Sequence, residues 1–260
     1  MPATVSLSRL AWRNLWRNRR RTLLNLFGIS FGVLFAVVVT GLSDATYGDM
    51  IDYAAKMGVG HVSVEHEEYR EAPSFEHVPR IDAAKIDTLR QDPRVTRITR
   101  RISGGTLAAS PSGNQGASLM AIDPLAEGDE TLLFLHDLKE GALFDTSEAT
   151  TAAVGATLAE NLGVRIGNKI VVTMTDKTGS VVSGMFRVGG LISTGAPSID
   201  GGLVVTPLAT TQALLGYDAD EVTTVAIYLE DHRDAEAVAR DLRVHLPAAA
   251  VALDWKRAQP

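Results

Sequence analysis

A stretch of 20 residues without charge, 23–42, stands out in the pattern of polar and apolar positions. A helix needs about 20 mostly apolar residues to cross the hydrocarbon core of a bilayer, so the stretch predicts a transmembrane helix over 23–43. Six arginines and no acidic residue precede it, and three acidic residues follow closely: Asp44, Asp49 and Asp52. Because positive charge stays on the cytoplasmic side, the N-terminus is predicted inside the cell and the body outside it.

The leader before this stretch, residues 1–22, has a polar face opposite an apolar stripe at helical spacing. Leu7, Leu10, Ala11 and Leu15 form the stripe, which predicts an amphipathic helix. Such a helix can lie in the cytoplasmic interface, where tryptophans sit at headgroup depth and arginines reach lipid phosphates. Membrane contact is therefore predicted for Trp12, Arg13, Trp16, Arg17, Arg19, Arg20 and Arg21.

Two simpler interpretations of this region remain. One is a charged flank that only fixes the topology, although a flank does not require apolar residues at helical spacing. The other is a removable signal peptide. The length of the apolar stretch, the long basic leader and the lack of an A-x-A-like cleavage site all disfavour it.

Beyond the membrane stretch, the pattern predicts an α+β body made of two β-α-β units around an insertion. Residues 44–57 extend the membrane helix outward as a stalk, which ends at Gly58. The first unit lies within 44–103, with strands at 61–65 and 95–102 and a helix at 81–89. The second unit lies within 217–255, with strands at 222–229 and 249–253 and a helix at 233–245.

The insertion, residues 104–216, is rich in Gly, Thr and Val and predicts a mainly antiparallel β subdomain. Turn residues separate its predicted strands, as at Asp176-Lys177-Thr178-Gly179. One helix is expected at 151–162, ended by Gly163. The predicted strands are 115–122, 169–175, 181–192 and 203–205.

Net charge and composition exclude one class of function for the body. Six of the 25 basic residues and none of the 31 acidic ones lie before Leu23, so the rest carries a formal charge of -12. An acidic body does not suit nucleic-acid binding, and that class is excluded. Cysteine is absent. An exported domain of this size does not need disulfides, so the absence of cysteine does not indicate in which compartment the body lies.

Motifs that carry chemistry are sparse. Gly28-Ile29-Ser30-Phe31-Gly32 matches the G-x-S-x-G of hydrolases, but it lies in the membrane stretch, where no strand-turn-helix elbow forms. Gly28 and Gly32 also match G-x-x-x-G, which makes them candidates for close helix packing; plain helix composition is the alternative.

A histidine cluster is the second candidate. His61, His66 and His77 lie near three glutamates, but no H-E-x-x-H motif or cysteine pair supports zinc, and a solvated surface is favoured. The glycines and lysine of residues 163–169 do not form a phosphate-binding loop. We therefore predict no catalytic residue, no metal site and no cofactor bound by this chain.

Three segments carry a resemblance to a known family. Residues 10–24, LAWRNLWRNRRRTLL, are similar to an A-x-R-N-L-x-R-x-x-x-R-T opening. Residues 60–64, GHVSV, are followed by Tyr69, and residues 156–170, ATLAENLGVRIGNKI, are similar to an LA-x-x-LG-v-x-x-G-d-x-v run. As a set, they resemble the FtsX/MacB-type permeases of ABC transporters, in particular the lipoprotein-release (LolC/LolE-like) group.

The resemblance implies a porter-like pair of β-α-β units, a sabre-like inserted subdomain and four membrane helices, with the extracytoplasmic domain between the first and second. Residues 256–260 then approach the second helix, and the chain is expected to be part of a longer protein. The implied location is the bacterial inner membrane. The implied partners are a separate ABC ATPase that binds the ATP, a second permease copy, membrane lipids, and a lipoprotein cargo or periplasmic acceptor.

The function that the resemblance implies is that of a non-catalytic permease subunit, which couples ATP hydrolysis by the partner ATPase to the extrusion or release of a lipoprotein or other hydrophobic cargo. Within that function, the leader residues named above for membrane contact, together with the stalk, are expected to provide the coupling. A single-span membrane-anchored sensor or adaptor with an extracytoplasmic binding domain is the alternative, because it needs the same anchor but no ATPase. A tethered enzyme is disfavoured, since the sequence offers no nucleophile-base pair and no ligand set.

Overall fold

The computed structural model describes residues 12, 16–69, 73–79, 81, 83–128, 130–244, 246, 247 and 249–258. Its contacts divide the chain into two compact units, Met1–Met50 and Ile51–Pro260. Of the predicted leader helix over 1–22, only Trp12 and residues 16–22 lie among the described residues.

A single long helix, α1 (Arg19–Ala54), contains the uncharged stretch. Its residues 23–42 are all exposed, which suits side chains that contact lipid. Among the described residues, Arg19–Val59 is the one helical segment that is long and apolar enough to cross a membrane. The N-terminal unit therefore fits a membrane-anchored protein.

The stalk predicted at 44–57 is present as the continuation of α1, which ends in a π-helical turn, Ala55–Val59. Gly58 has φ +126° and Gly60 has φ +75°, backbone conformations that side chains with a Cβ rarely adopt. The Gly60 N–H donates to the Ala55 carbonyl at 2.9 Å and closes the turn. Gly58 thus interrupts the helical backbone inside this turn, at the residue where the sequence predicts the end of the stalk.

The body contains ten strands, six further α-helices and two 3-10 helices, Leu133–His136 and His232–Asp234, among the described residues. The strands are β1 (Val62–His66), β2 (Val95–Ser110), β3 (Gly113–Ile122), β4 (Leu138–Gly141), β5 (Thr151–Gly155), β6 (Lys169–Thr175), β7 (Val181–Ile192), β8 (Leu203–Pro207), β9 (Thr224–Leu229) and β10 (Ala250–Asp254). The helices are α2 (Ala83–Arg90), α3 (Ala156–Asn161), α4 (Pro197–Asp200), α5 (Leu208–Leu215), α6 (Ala235–Arg243) and α7 (Trp255–Ala258).

Four strands form the first sheet, in the order β10-β1-β9-β2, and all its neighbours are antiparallel. Helix α2 lies between β1 and β2 in the sequence, and α6 lies between β9 and β10. Strands and helices therefore occur where the two β-α-β units are predicted. The two units interleave in space, because β9 of the second lies between the strands of the first.

The remaining pairs close a ring of six strands, β2-β3-β8-β5-β7-β6, in which β6 pairs with β2 again. Strand β4 adds to β7 outside the ring. Of these seven pairs, β3–β8 and β5–β7 are parallel, whereas the other five are antiparallel. Long crossovers that contain helices separate both parallel pairs in the sequence, as parallel pairing requires.

The helix predicted at 151–162 is wrong over its first five residues, which form β5. Ala152, Ala153 and Val154 are buried on both faces, so the alternation that marks a half-exposed strand is missing. The chain changes direction at Gly155, where a Cβ would lie 2.3 Å from the Asp200 carbonyl oxygen. Only the second part of the segment, α3, is helical.

One large hydrophobic core spans both the first sheet and the ring: it includes Val62 and Val225 of the former and Val172 and Phe186 of the latter. Strand β2 belongs to both, because it pairs with β9 as far as Arg101 and with β3 from Ile102 onward. The chain is thus a mixed α+β protein with an apolar N-terminal helix and a β-rich body. The division of that body at 104 and 216 stays a prediction.

Candidate functional site

The described residues of the leader form an exposed aromatic and cationic surface. The rings of Trp12 and Trp16 have centroids 6.0 Å apart, and the guanidinium carbon of Arg19 lies 5.4 Å from the Trp16 centroid. This distance suits a cation–π contact. Arg17, Arg20 and Arg21 are exposed as well, whereas Arg13 lies outside the described residues. The predicted role of these side chains in membrane contact and coupling stays a prediction.

Gly28 and Gly32 lie four residues apart on the exposed part of α1. A Cβ added at either position would meet no atom within 4 Å. Beside them, three phenylalanines stack along the helix at the same spacing, with ring centroids 6.2 Å and 6.4 Å apart: Phe27, Phe31 and Phe35. Helix packing through the two glycines stays a prediction.

The body contains a polar cluster that the sequence analysis did not find, at the turn that ends the stalk. Arg101 of β2 is 1% exposed, and its Nε and Nη2 atoms each donate to Glu127 at 2.6 Å. Its Nη2 also donates to the Tyr228 hydroxyl at 2.9 Å, and its Nη1 donates to the Gly58 carbonyl. The Tyr228 hydroxyl donates in turn to the Thr131 carbonyl at 2.6 Å. We call these five residues the Arg101 clasp.

Charge in the clasp is fully enclosed. Burial opposes the charged guanidinium and is the largest single influence on it, but the hydrogen bonds and charge interactions with Glu127 and Tyr228 together outweigh burial, and the pKa of Arg101 is raised above its ordinary value. Burial also raises the pKa of the Tyr228 hydroxyl, which stays protonated and can donate. A bidentate pair of this kind has fixed geometry as well as strength. The clasp therefore holds the Gly58 turn, β2 and β9 in one arrangement.

A second contact fixes the last turn of α1. His61 is 5% exposed; its Nδ1 accepts from the Leu229 N–H at 2.9 Å, and its Nε2 lies 3.0 Å from the Asp52 carboxylate. Because Nδ1 accepts, the neutral ring carries its proton on Nε2 and donates it to Asp52. Burial lowers the pKa of His61, although the hydrogen bond to Asp52 opposes this shift. His232 lies 3.6 Å from the same carboxylate.

The histidine cluster expected on a solvated surface is only partly there. His66 and His77 stack with ring centroids 5.1 Å apart, and His77 lies 3.4 Å from Glu68. The expectation is wrong for His61, which is buried because it follows the Gly60 turn directly into β1. Within the described ranges, no three His, Cys, Asp or Glu side chains are grouped as metal ligands are.

The alternation of the strand did not single out Arg101. Successive side chains of a strand point to opposite faces, so Ile98, Arg100 and Ile102 share one face. Arg101 lies on the other face with Thr99, and both are buried, because this strand is covered on both faces. The partner of Arg101, Glu127, lies in a loop that no periodic pattern marks, and only the fold brings the two together.

Together, the two contacts make a rigid joint at the end of the stalk. The last turn of α1 is fixed through Asp52 and His61, and the π-helical turn is fixed through Gly58 and Arg101. Both contacts lead to neighbouring residues of β9, Leu229 and Tyr228. The two contacts therefore connect the end of the stalk to β9 of the first sheet.

The sequence model of the MacB-like periplasmic core domain matches residues 22–244. The crystal structure of the periplasmic region of MacB from Actinobacillus actinomycetemcomitans is 13% identical, with a TM-score of 0.53, over 78% of this chain and 92% of that one. The extracellular domain of the noncanonic ABC-type transporter YknZ from Gram-positive bacteria is 14% identical, with a TM-score of 0.51, over 74% of this chain and 99% of that one. No curated protein matches the sequence.

At these identities, the two structures show a shared fold. The family match covers most of the chain and confirms the predicted resemblance to the FtsX/MacB type, whereas the lipoprotein-release group stays a prediction. This chain belongs to the MacB-like periplasmic core domain family.

Proposed function

We propose that the chain provides the anchor and extracytoplasmic body of a non-catalytic ABC transporter permease. In this proposal, a separate ATPase binds and hydrolyses ATP, and the chain passes the resulting motion to a hydrophobic cargo, with lipoprotein release as the narrower version. The observation that carries it is the family match over residues 22–244, which includes most of α1 together with the body. The charge asymmetry around α1 supports an inner-membrane protein with its N-terminus in the cytoplasm.

The joint at the end of α1 supports a mechanical role. The helix α1 has 36 residues, and it leads into a turn whose carbonyl is bound by a buried arginine. Motion can reach a distant site only through an element with two arrangements that both sites bias. We propose that the stalk and the clasp are this connection, and that two copies of the permease change the separation of their bodies when ATP binds.

Co-purification tests the assembly. The full-length protein that contains this chain is isolated from detergent-solubilised membranes, and an ABC ATPase is expected in stoichiometric amount. A matched preparation with α1 replaced by an unrelated membrane helix reports non-specific recovery. Recovery of the protein without an ATPase would contradict the proposal and favour the membrane-anchored sensor or adaptor.

Distance measurements test the transmission. Residues 1–260 contain no cysteine, so Ser112→Cys at the exposed turn between β2 and β3 gives one spin label per copy once any cysteine elsewhere in the full-length protein and in the ATPase is replaced. The distance between two labels is expected to change when ATP is added to the ATPase complex. The change is expected to shrink in the Arg101→Met/Glu127→Leu variant, which removes both clasp charges at once. An equal change of the label-to-label distance in both proteins would show that the clasp does not transmit the motion.

A further inference from the structure

A large open groove lies beside the six-stranded ring. It has a volume of about 930 Å³, and its walls come from β2, β3, β6, β7, β8 and α4 together with Phe134 and the π-helical turn at the end of the stalk. This volume is at the upper end of the range for small-molecule sites, about 300–1,000 Å³. The groove is therefore large enough to hold a long part of an elongated ligand along its open surface.

The side chains that line the groove indicate what kind of ligand would fit it. Among the described residues that line the groove, none has a charged side chain, although the body as a whole is strongly acidic. Its polar groups are serine and threonine hydroxyls, and its apolar groups include Met57, Met120 and Phe134. Methionine is flexible and polarizable, and it fills irregular apolar space around variable ligands. Such a lining offers no opposite charge to an ionised group, and its apolar side chains suit a flexible hydrocarbon.

Apolar side chains in the groove remain open to solvent. Leu107 is 42% exposed and Val181 is 74% exposed, and both lie on the groove wall. Exposed apolar surface that is gathered in a concave region marks a binding site more often than a scattered exposed residue does.

Two glycines deepen the groove and have no structural need to be glycine. Gly105 pairs with Ser118, and Gly116 pairs with Leu107, in the hairpin of β2 and β3. Neither has a positive φ, and a Cβ added at either would meet no atom within 4 Å. Glycine inside a strand weakens it and often marks a close approach by a ligand. The neighbouring Gly104 differs, since its Cβ would lie 2.6 Å from the Phe75 ring.

We propose that this groove binds the acyl chain of an amphiphile whose charged head stays outside. The uncharged lining excludes the head, the methionines follow the flexible chain, and the two glycines leave its path open. The same acyl chemistry can come from a free membrane lipid or from a lipid-modified polypeptide. The binding itself does not require transport; its use as a cargo site rests on the proposed permease function.

Photo-crosslinking tests the groove in the full chain, reconstituted in lipid nanodiscs without an ATPase. One probe is palmitic acid with a diazirine in its chain, and the other is a short N-palmitoylated peptide with the same diazirine. Mass spectrometry is expected to place crosslinks on groove residues such as Leu107, Met120 and Val181. Preference for the peptide probe assigns the lipid-modified polypeptide as the source, and equal labelling assigns any acyl chain.

Gly105→Val/Gly116→Val is expected to reduce this labelling by about tenfold, equivalent to about 1.4 kcal/mol of binding. The fold is expected to persist, because valine favours strands and the space is open. Gly113→Val is the matched control in the same hairpin: its Cβ also meets no atom within 4 Å, but it does not line the groove. If the double variant fails to unfold cooperatively, Val181→Glu on the exposed rim replaces it, and the same tenfold loss of labelling is expected.

Crosslinks outside the groove, or labelling that the groove variants leave unchanged, would overturn the proposal. So would the absence of labelling together with a concentration-dependent dimer that Gly105→Val/Gly116→Val abolishes, because a second copy would then occupy the groove. These results leave the permease proposal untouched, since no ATPase is present. Failure to recover an ATPase by co-purification, in contrast, leaves acyl binding in place.

Discussion

At the scale of single residues, buried polar side chains determine how the stalk ends. His61 has one ring nitrogen that accepts from β9 and one that donates to the last turn of α1. Protonation would place a second N–H against the Leu229 N–H, so only the neutral ring suits both partners. A histidine in a polar stretch looked like a surface residue in sequence, because burial of one side chain depends on neighbours that are distant in the chain.

The pH dependence of stability tests this arrangement. Burial lowers the pKa of His61 in the folded protein, so the unfolded chain binds a proton more readily and the free energy of unfolding falls as the pH drops below the ordinary value of 6.5. Thermal unfolding in mild detergent is measured between about pH 8 and about pH 5, a range that spans histidine titration. His61→Gln can accept and donate like the neutral ring, and it is expected to lose part of the pH dependence. If the unfolding temperatures of the parent chain and of His61→Gln depended on pH in the same way, the prediction would be wrong.

At the scale of elements, β2 connects the parts of the body. Its first half pairs with β9, its second half pairs with β3, and Arg101 occupies the last position paired with β9. The position of the strand was predictable from alternation, but its length was not, since residues 103–110 are rich in small residues. Pairing partners with a fixed register, rather than local propensity, extend it to Ser110.

A double-mutant cycle tests the clasp at this scale. Arg101→Met leaves the Glu127 charge buried without its partner, and Glu127→Leu does the same to Arg101; each is expected to destabilise the body by about 3–5 kcal/mol. The combined variant leaves neither charge, and its loss of unfolding free energy is expected to be much smaller than the sum of the two single losses. Chemical denaturation of the three variants and the parent chain measures the coupling. Additive losses would show that the pair does not act as a unit.

At the scale of the whole molecule, one hydrophobic core joins the first sheet to the ring. Core residues of α6, such as Val238, belong to the same cluster as Ile170 and Phe186 of the ring. A shared core couples the stability of the regions that line it. The body is thus expected to behave as one cooperative unit, although the sequence predicts an inserted subdomain.

Calorimetry of residues 51–260 without the membrane helix tests this expectation. A single transition is expected, with a calorimetric enthalpy equal to the van't Hoff enthalpy. Residues 104–216 alone are the control: they lack Ile102 and the strands of the first sheet, and we expect them not to unfold cooperatively. Two separate transitions in the body, or a stable 104–216 fragment, would establish the insertion as an independent domain.

The sequence by itself determined the apolar helix, its end at Gly58, most of the strands of the body and the family. These features depend on composition and on the repeat of apolar residues, every two residues in strands and every 3.6 residues in helices. Both can be seen in a short stretch of sequence. Tertiary structure alone decided that residues 151–155 form a strand, that Arg101 meets Glu127, and that an uncharged groove opens beside two glycines. Each of these depends on side chains that are far apart in sequence, because burial and pairing arise only when the strands assemble.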